Sequence, residues 1–200
     1  MAFTERNGQD EGKARSPYQR FEEVTVESTD IFKGKVISLQ VDTVTLPDGS
    51  TATREIVRHP GAVAVLAIHD RKMIVVDQYR KPLGRSQIEI PAGKLDPGEE
   101  PETAARRELA EETGYKAEHL VHLSSVYTSP GFADEIIHIY AADHLTPGEM
   151  HTDEDEFLEV LEITLEEAFE AMRDGRISDA KTVNAIYAWQ IYELTGQWPI

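Results

Sequence analysis

Glu108, Glu111 and Glu112 stand at positions i, i+3 and i+4 of a stretch with helical character. At 3.6 residues per turn they share one arc about 100° wide. Three carboxylates this close repel one another, and a hard divalent cation compensates, because Mg²⁺ takes oxygen ligands and keeps part of its water shell. A solvated acidic helix face is the plain alternative, and the three glutamates alone do not separate the two. Ahead of them, Gly93 and Gly98 bracket Pro97 in a loop that can fold tightly and aim a backbone carbonyl at a metal. Ala105 and Leu109 lie on a neighbouring arc and can anchor the helix to a sheet.

The full spacing is Gly93-x5-Glu99-x7-Arg107-Glu108-Leu109-x-Glu111-Glu112-x-Gly114-Tyr115. Its fixed residue types would co-occur by accident in a chain of this length on the order of one time in a million. The segment resembles the Nudix box, with Tyr115 in its last apolar position. That resemblance implies a mixed β-sheet sandwiched between helices (α/β/α) and hydrolysis of a nucleoside diphosphate linked to another group. It implies two or more bound ions, Mg²⁺ or Mn²⁺. Carried over by position, Glu108 and Glu112 would be the main metal ligands, with Glu111 and the carbonyl of Ala92 beside them. Glu99 and Arg107 would pair to hold the loop that starts at Gly93 onto the helix.

Downstream, Ser129-Pro130-Gly131-Phe132-Ala133-Asp134-Glu135 places Pro130 where it stands in the ADP-ribose pyrophosphatase subfamily. The acidic run Asp153-Glu154-Asp155-Glu156 resembles the loop that supplies that subfamily's catalytic carboxylate, which makes Glu154 the better candidate base and Glu156 the second. Arg54-Glu55 and Gln78-Tyr79-Arg80 resemble its substrate-side segments. The resemblance sets Arg80 against the diphosphate and Glu135 against ribose or adenine. It implies a homodimer with exchanged amino-terminal strands, in which Arg54 and Glu55 serve the partner's site. Phe32 is either a base-stacking ring or a core residue. Other nucleoside diphosphate derivatives (sugar nucleotides, dinucleoside polyphosphates, oxidised nucleotides) remain open as substrates, as does a catalytically silent ligand-binding module.

The elements that must position these residues are legible from pattern. Val24 and Val26 alternate with polar residues, and Lys35 to Val57 reads as a hairpin turning at Pro47-Asp48-Gly49, an antiparallel ribbon that must pack on something. The apolar runs from Ala62 to Ile68 and from Met73 to Val76 suit strands covered on both faces. Ile88-Glu89-Ile90 is a short strand closed by Pro91. A helix spans Pro101 to Thr113 and stops at Gly114. Strands follow near Leu120 to Tyr127, Ile136 to Ala142 and Phe157 to Ile163. Thr164-Leu165-Glu166-Glu167 is a capping box opening a helix to Arg173, and Asp179 caps a last helix whose Val183, Ile186, Tyr187 and Ile191 have helical spacing. This order favours a layered α/β sheet over a bundle or a doubly wound fold. We divide the chain into a flexible tail (1–17), a strand region for dimerisation (18–60) and a Nudix hydrolase domain (61–200).

Composition narrows the classes further. The 200 residues carry 37 acids against 20 bases, a formal charge of −17, which disfavours nucleic acid and anionic membrane surfaces as partners. With no cysteine there is no thiol nucleophile or Cys-type zinc site. The amino terminus lacks the apolar core of a secretory signal, and no apolar run is long enough to span a bilayer, so a soluble cytoplasmic protein is the expectation.

Overall fold

The structure, a computed structural model, describes residues 20–151 and 157–200. The expected tail and the acidic run with Glu154 and Glu156 lie outside the described residues. The chain begins with β1 (Val24–Lys33), β2 (Ser38–Thr45) and β3 (Thr51–Arg58), an antiparallel sheet in that order. The expected hairpin is β2–β3, joined where Gly49 takes φ +84° and Asp48 accepts from the Ser50 backbone. Its third strand, β1, is exposed along its whole length. Phe32 is exposed with it, which removes the core reading of that ring.

Beyond Pro60 follow β4 (Ala62–His69), β5 (Lys72–Arg80), β6 (Arg85–Glu89) and β7 (Ala92–Lys94), then α1 (Pro101–Thr113) and β8 (Tyr115–Ala117). The remaining elements are β9 (Val121–Tyr127), β10 (Ile136–Ala142), β11 (Leu145–Pro147), β12 (Leu158–Ile163), α2 (Leu165–Arg173) and α3 (Ala180–Thr195). The central sheet runs β12-β5-β4-β10-β9, with β6 paired to β5 and β7 to β4. β10 lies parallel to β4 and its other pairings are antiparallel, so the sheet is mixed. β8 and β11 form a separate two-stranded ribbon.

β4 shows why the sheet is covered twice. Val63, Val65 and Ala67 pack with Ala104, Ala105 and Leu109 of α1, whereas Ala64 and Leu66 pack with Ala168 of α2 and Ala185, Ile186 and Trp189 of α3. The alternation of a strand sends successive side chains to opposite faces, and here both faces are dry. Full burial of Leu109 stabilises this layer by roughly 1.5–3 kcal/mol. The result is the expected helix–sheet–helix sandwich with an antiparallel amino-terminal arm. Among the described residues, no helix is long and apolar enough to cross a membrane.

The last helix is present with its Asp179 cap, but its spaced apolar residues do not all face the sheet. Tyr187 and Ile191 are exposed, and the buried face is carried by Lys181, Thr182, Ala185, Ile186, Ala188 and Trp189. The small and polar members of that face have no hydrophobic signal of their own. The arm meets the sandwich through the loop before β10: the Val57 backbone exchanges hydrogen bonds with Phe132 and Asp134, and Arg58 pairs with Asp134 at 3.0 Å.

Candidate active site

Pro101 at the first helical position and Gly114 at φ +73° set the ends of α1, and the Gly114 N–H closes on the Ala110 carbonyl. The helix lays Ala104, Ala105 and Leu109 on the sheet, and that rotation fixes where its glutamates point. Glu112 falls on the buried side at 2 % exposure. The Glu108 side chain is mostly covered at 12 %, and that of Glu111 is 42 % exposed. The three carboxylates therefore form a graded set from interior to solvent.

Each is tied to the segment or side chain opposite. Glu112 Oε2 accepts from the Ala92 backbone N–H at 3.0 Å. The Glu108 carboxylate lies directly against Gly93, where a Cβ would sit 1.9 Å from its carboxyl carbon. Only glycine fits there, which is a steric reason for Gly93 that the sequence alone does not give. Arg107 reaches Glu99 with Nε and Nη2 at 3.0 and 2.9 Å, and its Nη1 donates to Glu108 at 2.7 Å and Glu111 at 3.0 Å. Nη2 also donates to the Lys94 carbonyl at 3.2 Å. The Glu99 hydrogen bonds, followed by those to Glu108 and Glu111, hold the guanidinium firmly protonated well above its ordinary value. The same contacts hold the Glu99 carboxyl below the usual carboxylate range. Glu99 also accepts from the Asp96 N–H at 3.1 Å, so Arg107 and Glu99 together tie the loop to the helix.

The donor set fits a hard divalent cation. It offers carboxylate oxygens, and the Glu108 carboxylate presses so closely on Gly93 that no side chain fits between. Among the described residues no group of three or more acid or histidine side chains is placed to hold a metal ion, so an ion at Glu108 and Glu112 would take its remaining ligands from backbone and water.

A cleft of about 460 Å³ is lined in part by Ala92, Gly93 and Lys94. Its walls include His59, Arg80, Glu89, Glu135 and Lys181. Arg80 forms a two-pronged pair with Glu89, Nε to Oε1 at 2.8 Å and Nη2 to Oε2 at 2.7 Å. That pairing, with lesser contributions from Glu112 and Asp179, raises the proton affinity of Arg80. Burial pushes the Glu89 carboxyl up, but hydrogen bonds from Arg80 and the charge of Lys181 outweigh it and hold the group below the usual range. At the far wall, Glu135 accepts from Thr128 Oγ1 at 2.6 Å and faces His59 Nε2 at 3.6 Å. The Gly61 N–H donates to His59 Nδ1 at 3.1 Å, so in the neutral ring the proton lies on Nε2, facing the cleft.

The structure thus brings Ala92, Gly93, Glu99, Arg107, Glu108, Glu111 and Glu112 into one cluster, with Arg80 and Glu135 in the adjoining cleft. It does not bring Arg54 or Glu55 there. Arg54 pairs with Glu23 at 2.6 Å, Glu55 is exposed on the arm, and neither lines the cleft of its own chain. Sequence reasoning missed His59, Lys181 and the role of Glu89. For Glu89 no local signal existed, since an acid alternating with Ile88 and Ile90 is the ordinary pattern of a strand with one wet face.

Residues 58–186 match the family model described as the NUDIX domain. The chain belongs to the Nudix family. Residues 23–57, the arm, match a second model, the nucleoside diphosphate sugar hydrolase N-terminal domain. The chain is 54 % identical over 175 residues to the ADP-ribose pyrophosphatase of Bacillus subtilis (strain 168), covering 86 % of this chain and 95 % of that protein. It is also 54 % identical over 176 residues to the methanol dehydrogenase activator of Bacillus methanolicus, with the same coverages. The GDP-mannose pyrophosphatase of Yersinia enterocolitica serotype O:8 is 34 % identical over 163 residues, covering 74 % of this chain and 85 % of its own. A solved structure titled "Crystal structure of ADP compounds hydrolase" superposes with a TM-score of 0.78 over 90 % of this chain and 97 % of that one; at 22 % identity it shares the fold. This Nudix chain is a pyrophosphohydrolase of a family that works with divalent metal.

Proposed function

We propose that this Nudix hydrolase cleaves the pyrophosphate bond of ADP-ribose, giving AMP and ribose 5-phosphate, with Mg²⁺ as its ordinary metal and at least two ions per site. The observation that carries this is the juxtaposition of Glu108 and Glu112, pressed on Gly93 and Ala92, with a cleft whose wall presents Arg80. Likeness over nearly the full length of the Bacillus subtilis ADP-ribose pyrophosphatase supports the substrate. Glu108, Glu111, Glu112 and the carbonyl of Ala92 would hold the ions. Bound there, they would neutralise the non-bridging phosphoryl oxygens and increase the acidity of the attacking water.

The remaining work belongs to the chain. Arg80 draws in and orients the diphosphate, and Glu135 accepts a hydrogen bond from the sugar or base. Glu154 takes the proton of the attacking water, with Glu156 two residues on in the sequence. One phosphorus–oxygen bond forms from water, the bridging bond breaks, and its oxygen leaves on the second phosphate. Glu111, the most exposed of the three carboxylates, would assist the base. Loss of a general base costs about 10²- to 10⁴-fold, so Glu154→Gln should lower kcat by that order with little change in KM, and Glu156→Gln should do less.

The proposal includes a homodimer formed through the arm, in which Arg54 and Glu55 complete the partner's site. The exposed apolar side chains of β1 and its flanks, among them Val24, Val26, Ile31 and Phe32, support it. A substrate panel of ADP-ribose, GDP-mannose, a dinucleoside polyphosphate and an oxidised nucleoside triphosphate, scored by product, tests the reading. ADP-ribose should give the highest kcat/KM. Indifference to it beside strong turnover of triphosphates would overturn the assignment.

A further inference from the structure

Lys181 stands in the first turn of α3, two residues past the Asp179 cap, with its side chain only 9 % exposed. Two local rules oppose it there. Burial strips the ammonium of water, and a cation in the first turn meets the positive end of the helix dipole. What holds it is a pair of carboxylates, Glu89 Oε2 at 2.5 Å and Asp179 Oδ1 at 2.9 Å.

Glu89 is the shared member, because the same carboxylate forms the two-pronged pair with Arg80. Nε and Nη2 of Arg80 are thereby used, and Nη1 makes no hydrogen bond among the described residues. The Arg80 side chain is 37 % exposed and lines the cleft together with Glu89 and Lys181. A continuous chain of charged hydrogen bonds therefore leads from Lys181 through Glu89 to the guanidinium edge left for a ligand.

Docking of α3 does not depend on this lysine. Thr182 Oγ1 accepts from the Ile90 N–H at 3.0 Å, and the Ser178 N–H and hydroxyl donate to Gln87 Oε1 at 3.2 and 2.9 Å. Arg85 adds a bond to the Gly175 carbonyl at 2.8 Å. A residue that breaks local rules beside a cleft, while its neighbours secure its helix, is kept for the site. We propose that Lys181 is a positioning residue: it locks Glu89, and Glu89 in turn presents Arg80 to the diphosphate of the substrate. This deepens the proposed function and takes its substrate class from it.

The test is a double-mutant cycle in the full-length enzyme with Mg²⁺, comparing wild type, Lys181→Met, Arg80→Gln and the double variant. The substrate is ADP-ribose, or the nucleoside diphosphate derivative that the wild type cleaves fastest. Lys181→Met should raise KM roughly tenfold and change kcat by less than about threefold, the scale expected for groups in one ion-pair network. In the Arg80→Gln background the same change should leave KM where it is, since the group through which Lys181 acts is gone. Independent, multiplying effects on KM in the two backgrounds would overturn the proposal, as would an unchanged KM in Lys181→Met. Lys181→Gln, which keeps a donor but not the charge, should reproduce the Met result. Failure of both variants to fold would make the lysine structural and also overturn it. If the wild type cleaves no such derivative, the proposed function falls by itself, and the same cycle is read from calorimetric binding of ADP.

Discussion

At the scale of single residues, the site rests on the unequal burial of like charges. Glu112 is interior and bonded to the Ala92 N–H, while Glu111 faces solvent and shares Arg107 with Glu108. Glu112→Gln would remove a charge from the proposed metal site but also relieve repulsion within the cluster. Activity at saturating Mg²⁺ should fall by orders of magnitude while the thermal midpoint without metal stays level or rises; near-normal turnover would contradict the ligand role. Glu99 gives a second handle. Arg107 holds its folded-state carboxyl below the ordinary value of 4.5, so its contribution to stability is present above that value and lost as pH falls through the lowered one. Glu99→Gln should therefore flatten the acid side of a melting-temperature profile, and an unchanged slope below about pH 4.5 would contradict the pairing as a source of stability. The box was legible in the sequence because its members sit at fixed local spacing. Glu89 and Lys181 meet only across the assembled β6–α3 junction, so no local pattern announces them.

At the scale of elements, the decisive contact is between α1 and the short strand β7. Gly93 exists so that the Glu108 carboxylate can lie on its Cα, and an alanine there would demand a shift of the strand or the helix. Gly93→Ala should cut activity at least as severely as loss of the Glu108 carboxylate, with a modest fall in melting temperature. Wild-type kinetics in that variant would mean that the contact is dispensable. Strands with strong alternation or continuous apolar runs were legible, as were α1 and α2, whose caps are local chemistry: the Thr164–Glu167 box is present in full. The three-residue strands β7, β8 and β11 were not, because so few residues carry no periodicity and are extended only through their partners. The buried face of α3 was not legible for a related reason. Its large apolar residues partly face outward, and its small and hydrogen-bonded ones face the sheet.

At the scale of the molecule, the arm and the sandwich divide the labour. The sandwich holds the carboxylates and Arg80, while Arg54 and Glu55 lie on the arm away from their own cleft. If the sites are shared, mixing Arg54→Ala chains with Glu112→Gln chains should restore activity, because one site of each heterodimer regains both groups. Mixtures no better than their parents, or a monomer by sedimentation, would contradict the shared site. The arm's strands were legible in the sequence, but its partner was not, because exposed alternation on β1 does not say which surface covers it. The most direct measurement is to follow ADP-ribose and its products by chromatography while Mg²⁺ is titrated into metal-stripped enzyme. AMP and ribose 5-phosphate should form in equal amounts only as the metal is added, and their formation should stop with excess chelator. Cleavage that persists in chelator, or products other than that equimolar pair, would contradict the proposed function.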